Sequence, residues 1–147
     1  MKKIIVSLML AAVAVVITQA NPAFSAEPKT DMSLVGQWEM TQNATDSAGS
    51  PCPFVPEAFM FYKDQTVAMS NTGDQSFPYK TSVTSEERQK IEKRVPVFKG
   101  KNLLLIMPSP NFEWTTTPMV YAYSVIKDEL TLSLQGYSSA KFGRVKR

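Results

Sequence analysis

From residue 34 onward the chain is cut into short alternating segments, and that rhythm constrains its fold more than any single motif does. In "LVGQWEM", Leu34, Gly36, Trp38 and Met40 fall on one side and Val35, Gln37 and Glu39 on the other. "LTLSLQ" repeats the pattern, with Leu130, Leu132 and Leu134 against Thr131, Ser133 and Gln135. A period of two is the signature of a strand with one face on a core. "AFMFYK" and "TVAMS" read as a hairpin turning at Asp64-Gln65, and both faces of its first strand are apolar. "SFPYKTSV", "VPVFK", "LLLIM", "TTPMVYAYSV" and "AKFGRVKR" complete the set. About eight short strands joined mostly by tight turns predict an all-β fold, a small antiparallel up-and-down β-barrel. A packed sandwich is the other way to close such a meander.

Two stretches break the rhythm. "TSEERQKIEKR" carries a capping-box pattern, Thr84 with Glu87, with acids early and Lys93 and Arg94 late. It predicts one short, mostly polar surface helix. Residues 43–57, "NATDSAGSPCPFVPE", form a loop with three prolines. Loops of that length in compact domains are often binding loops or lids.

The first 26 residues have a different character. Lys2 and Lys3 precede an apolar run from Ile4 to Ile17, then small and polar residues. As a helix the run spans ~21 Å, short of the ~30 Å hydrocarbon core of a bilayer. The expectation is a secretory signal peptide over residues 1–26, with an uncleaved anchor helix as the alternative. An N-terminal extension, 27–33, and one barrel domain, 34–147, would follow. The expected location is periplasmic or secreted, with no stable membrane anchor after cleavage.

Removal of Lys2 and Lys3 with that leader lowers the net charge from +3 to +1. A near-neutral domain gives little reason to expect nucleic acid as a partner. The single cysteine, Cys52, cannot form an internal disulfide. It reads as a buried or half-buried loop thiol, with an intermolecular bridge as the alternative. The chain has no histidine, so the commonest general base and zinc ligand are missing. No catalytic residue, metal ligand or cofactor is expected, and the protein reads as a non-enzyme.

Several ordered fragments together resemble the lipocalins and the wider calycin group, in particular short bacterial lipocalin-like domains. They are Leu34-Val35-Gly36-Gln37-Trp38, then Phe61-Tyr62-Lys63-Asp64-Gln65-Thr66, then the run from Tyr123 to Leu132, "YSVIKDELTL", and Phe142-Gly143-Arg144. Gln65 stands where the family pattern has a turn glycine. The resemblance implies that Trp38 closes one barrel end, with Arg144 lying across its ring and Gly36 allowing close approach.

An eight-stranded barrel is either filled by side chains or holds one small ligand. The inward candidates are Phe59 or Met60, Phe61 or Tyr62, Met69, Phe77, Tyr79, Leu104, Met107, Tyr121, Tyr123 and Leu132. The residues expected to touch a small apolar ligand are Phe54, Met69, Tyr79, Tyr121 and Tyr123. Two alternatives have no such ligand. One is a protein-binding module, since small calycin barrels also resemble periplasmic metalloprotease inhibitors that present the N-terminal segment, here 27–33. The other is a ligand-free envelope scaffold.

Overall fold

The computed structural model describes residues 30–108 and 117–147. The expected leader, residues 27–29 of the extension and residues 109–116 lie outside the described residues.

The alternating segments form eight antiparallel strands. They are β1 (Gly36–Gln42), β2 (Ala58–Phe61), β3 (Thr66–Met69), β4 (Ser76–Lys80), β5 (Asn102–Ile106), β6 (Met119–Ile126), β7 (Glu129–Ser133) and β8 (Ala140–Arg144). Each strand pairs with the next in sequence, and β8 returns to β1, so the sheet is a closed up-and-down barrel. Closure leaves no strand edge unpaired. The registers Trp38 to Phe59 and Trp38 to Arg144 place Trp38 between β2 and β8.

Parity decides what fills the interior. Trp38, Phe59, Phe61, Val67, Phe77, Tyr79, Leu104, Leu130, Leu132 and Phe142 are buried in one core cluster. On the two-faced β2, Phe59 and Phe61 point in, which leaves Met60 and Tyr62 outside. Met107 belongs outside as well. Leu104 and Ile106 face inward, so the odd positions Leu103, Leu105 and Met107 join an outer cluster with Phe98 and Ala122. The expectation of an inward Met107 fails on that alternation.

The second correction is "VPVFK". It is not a strand but a 3-10 turn over Pro96–Phe98. Pro96 has no N–H to give a ladder, and the turn lays Phe98 onto the outer face of β5 and β6, where it is buried. Helix α1 (Ser85–Arg94) precedes it. Its capping box is formed, with Glu87 N donating to Thr84 Oγ1 at 3.1 Å and Thr84 N donating to Glu87 Oε2 at 2.9 Å. Ile91 packs onto the same outer cluster, which covers the second apolar face of "LLLI".

The β2–β3 hairpin turns differently from the expected two-residue form. Tyr62 N donates to Thr66 O, Gln65 N donates to Tyr62 O, and Gln65 has φ +65°. This is a three-residue loop, Lys63–Gln65, whose last residue takes the left-handed conformation that usually calls for glycine. Asp64 Oδ1 steadies it by accepting from Thr66 N and Oγ1.

Candidate functional site

The barrel has two ends, and both are covered. At the end that receives β1 and releases β8, residues Met32–Leu34 form a 3-10 turn with Leu34 fully buried. Trp38 Nε1 donates to Leu34 O at 2.7 Å. Arg144 lies over the Trp38 ring and donates to the carbonyls of Val35 and Ser33. Gly36 has φ +134°, and a Cβ there would stand 2.9 Å from Arg144 Nη1. Gly36, Trp38 and Arg144 therefore make one structural unit: the missing side chain gives the guanidinium room, and the guanidinium covers the ring.

Asp31 ties the approach segment to the wall. Its carboxylate accepts from Ser33 N at 2.9 Å and from the Tyr123 hydroxyl at 2.7 Å, and Asp31 N donates to Thr81 Oγ1. Burial alone would raise the Asp31 pKa, but the hydrogen bonds from Ser33 and Tyr123 outweigh it and hold the carboxyl below its usual range. Residues 31–33 of the extension are thus pinned to the barrel.

The four interior residues expected to touch a ligand are core residues. Met69, Tyr79, Tyr121 and Tyr123 are all buried in the main cluster. Tyr79 meets Phe61 edge-on at 5.0 Å, and Phe59 meets Phe61 at 5.6 Å and Phe142 at 5.2 Å. Those ring separations are normal packing distances, so rings occupy the barrel centre. Burial pushes the Tyr79 and Tyr121 hydroxyls up to about 12, with the Asp31 charge adding to Tyr79 and Cys52 to Tyr121. Burial and the bond to Asp31 raise Tyr123 further. The fifth candidate, Phe54, is 67% exposed and stands apart from the other four.

The opposite end is covered by residues 43–57. This loop is tightly folded rather than open. Asp46 Oδ1 accepts from Ala48 N and Ser50 N, Thr45 bridges to Pro51, and Cys52 N donates to Ala44 O at 2.7 Å. Ala44, Cys52 and Val55 enter the main core as a stopper, which makes Cys52 a buried free thiol. Ser138 N donates to Thr45 O, joining the stopper to the β7–β8 turn.

Between this loop and the β3–β4 turn runs a cleft of about 460 Å³. Met40, Cys52, Val55 and Pro56 form its apolar wall, and Asn43 and Glu57 are its polar members on the loop side. Ser70 and Asn71 close the other side. The volume lies in the range of small-molecule sites, and the surface that lines it is about evenly divided between polar and apolar groups. Asn43 Nδ2 donates to Cys52 O, but Asn43 Oδ1 is buried without a hydrogen-bond partner among the described residues. A buried acceptor left so costs about 1–3 kcal/mol. The sequence marked this loop by its length and prolines; nothing local to Met40, Asn43 or Glu57 signalled that the three would meet at one cleft.

Comparisons with protein-family models, with curated proteins and with solved structures gave no match.

Proposed function

We propose that the protein is an exported, non-catalytic binding protein of lipocalin-like architecture whose ligand is a small hydrophobic molecule. The cleft beside the 43–57 loop carries this reading, since a space of about 460 Å³ lies there against Met40, Val55 and Pro56 at one end of a closed barrel. The close ring contacts inside the barrel favour that end over the interior as the binding position. The lipocalin-like assignment draws on the ordered sequence fragments and on the Trp38–Arg144 closure. Export draws on the leader-like first 26 residues, and the absence of histidine weighs against an enzyme.

Native mass spectrometry of the protein purified without detergent, before and after organic extraction, tests the reading. The expected result is an added mass that extraction removes. A spectrum of bare polypeptide both times, with no uptake of added apolar compounds, would turn the search toward a protein partner. The same spectrum shows whether Cys52 links two chains.

A further inference from the structure

Charge is unevenly spread over the barrel. From Lys80 to Lys101 the chain carries seven cations and three acids, a net of +4. The other described residues carry six cations and eight acids, a net of −2. The three acids of the basic stretch are already paired, Glu87 with Lys80, Glu92 with Arg88 and Glu86 with Lys90. The four cations that follow, Lys93, Arg94, Lys99 and Lys101, are all exposed, and none makes an ion pair among the described residues. Glu92, on which Lys99 also acts, already accepts from Gly100 N and Arg88 Nη1. Asp46 borders the turn on the Val97 side, and its Oδ1 is spent on Ala48 N and Ser50 N.

The backbone gathers these cations around one tip. Helix α1 ends at Arg94, and the chain doubles back through the 3-10 turn Pro96–Phe98. Phe98 anchors the turn in the outer cluster. Gly100 N donates to Glu92 Oε1 at 3.2 Å and Arg88 Nη1 to Lys101 O at 2.9 Å, so the returning segment lies against the helix. Lys93 and Arg94 stand on the helix arm, and Lys99 and Lys101 on the returning arm. Between them Pro96 is exposed, and Val97 stands out at 62%.

An apolar tip among unpaired cations matches a surface that is negative outside and hydrocarbon beneath, a bilayer of anionic lipids. A nucleic acid also offers negative charge, but single strands gain from exposed rings that stack on bases, and the ring in this turn, Phe98, is buried. We infer that this tip docks the protein reversibly on anionic bilayers. Val97 meets the headgroup boundary, and the four cations meet lipid phosphates. So few contacts give salt-sensitive adsorption rather than anchoring.

Sedimentation of the mature chain, residues 27–147, with vesicles of phosphatidylcholine alone or mixed equally with phosphatidylglycerol tests this. The protein should bind the mixed vesicles only, and less as salt rises. Lys99→Gln with Lys101→Gln should weaken that binding about 30-fold, the product of two surface cations, with the urea midpoint unchanged. The same loss of charge elsewhere, Lys63→Gln with Lys127→Gln, should leave most of it. Val97→Trp should add a blue shift of tryptophan emission on mixed vesicles beyond any shown by the parent. No sedimentation with the mixed vesicles, equal binding to both kinds, equal loss from both pairs of substitutions, or no added shift overturns the proposal. Tighter binding to a single-stranded oligonucleotide or to polyglutamate than to the mixed vesicles overturns it too, and gives the basic tip a different partner.

Discussion

The Arg144 guanidinium lies 4.2 Å from the centre of the Trp38 ring while its two terminal nitrogens donate to Val35 O at 2.8 Å and Ser33 O at 2.7 Å. One side chain thus covers the ring, holds the N-terminal turn and, through Asp128 at 3.5 Å, touches the β6–β7 turn. A cation over an indole contributes about 0.5–2 kcal/mol, and charged donors to carbonyls add about 1.5–3. Arg144→Ala should lower stability by about 2–4 kcal/mol in urea unfolding. Arg144→Lys should recover only a part, because an ammonium cannot span two carbonyls and lie flat on the ring. A loss below about 0.5 kcal/mol, the range of an ordinary surface change, would show that the plug does not depend on this residue.

Gly36 and Gln65 both have positive φ, and the two positions predict opposite results. Gly36→Ala puts a Cβ into a conformation L-residues rarely adopt and 2.9 Å from Arg144 Nη1, so it should destabilise by about 1–3 kcal/mol. Gln65 already bears that strain at φ +65°. A non-glycine residue there costs about 1–2 kcal/mol, partly offset by the greater freedom of glycine in the unfolded chain. Gln65→Gly should therefore raise stability by about 0.5–1 kcal/mol, read as a higher melting temperature.

Aromatic rings meet inside the barrel, and Phe59 reports on how closely they pack. It is 1% exposed and contacts both Phe61 and Phe142. Phe59→Ala should cost about 3–5 kcal/mol, as in other close-packed cores. A much smaller cost would mean that the ring borders an empty chamber able to take a ligand.

Asp31 makes the closure sensitive to acid. Its folded pKa is held below the usual 3.8. A depressed carboxyl contributes stability that is fully present above 3.8 and is lost as pH falls through the lower folded value. Tyr123→Phe deletes one of the bonds that hold it down, so the Asp31 pKa should rise and acid unfolding should begin at higher pH. The change should also cost about 1–2 kcal/mol near neutrality. Carboxyl-detected NMR titration and urea unfolding against pH read the two effects.

The buried tyrosines set the alkaline limit. Burial pushes the Tyr79 and Tyr121 hydroxyls up from the ordinary 10.0 to about 12. Raised folded values give stability that is fully present below 10.0 and is lost as pH rises from there through about 12. Tyrosinate absorbance should therefore lag behind that of the unfolded chain across this window, and the urea midpoint should fall over the same range. Tyr121→Phe should flatten that fall, because a phenylalanine has no proton to lose.

Short alternating segments such as "LTLSLQ" and "SFPYK" determined the strands, because a period of two leaves only one way to bury Leu130, Leu132, Phe77 and Tyr79 together. Thr84 and Glu87 determined the start of the helix through bonds local to one turn. Gly36, Trp38 and Arg144 were legible as a set only through their order in the chain. Three things needed the tertiary structure. The inward face of "AFMF" depends on which neighbour it meets, since both of its faces are apolar. "VPVFK" became a 3-10 turn because β5 presents a second apolar face that Phe98 covers, a demand set by residues several positions away. The cleft exists because a loop of three prolines folds back to put Cys52 and Val55 into the core, which leaves Asn43 and Glu57 beside Met40. No local pattern encodes that meeting: residues far apart in sequence become neighbours only when the barrel closes.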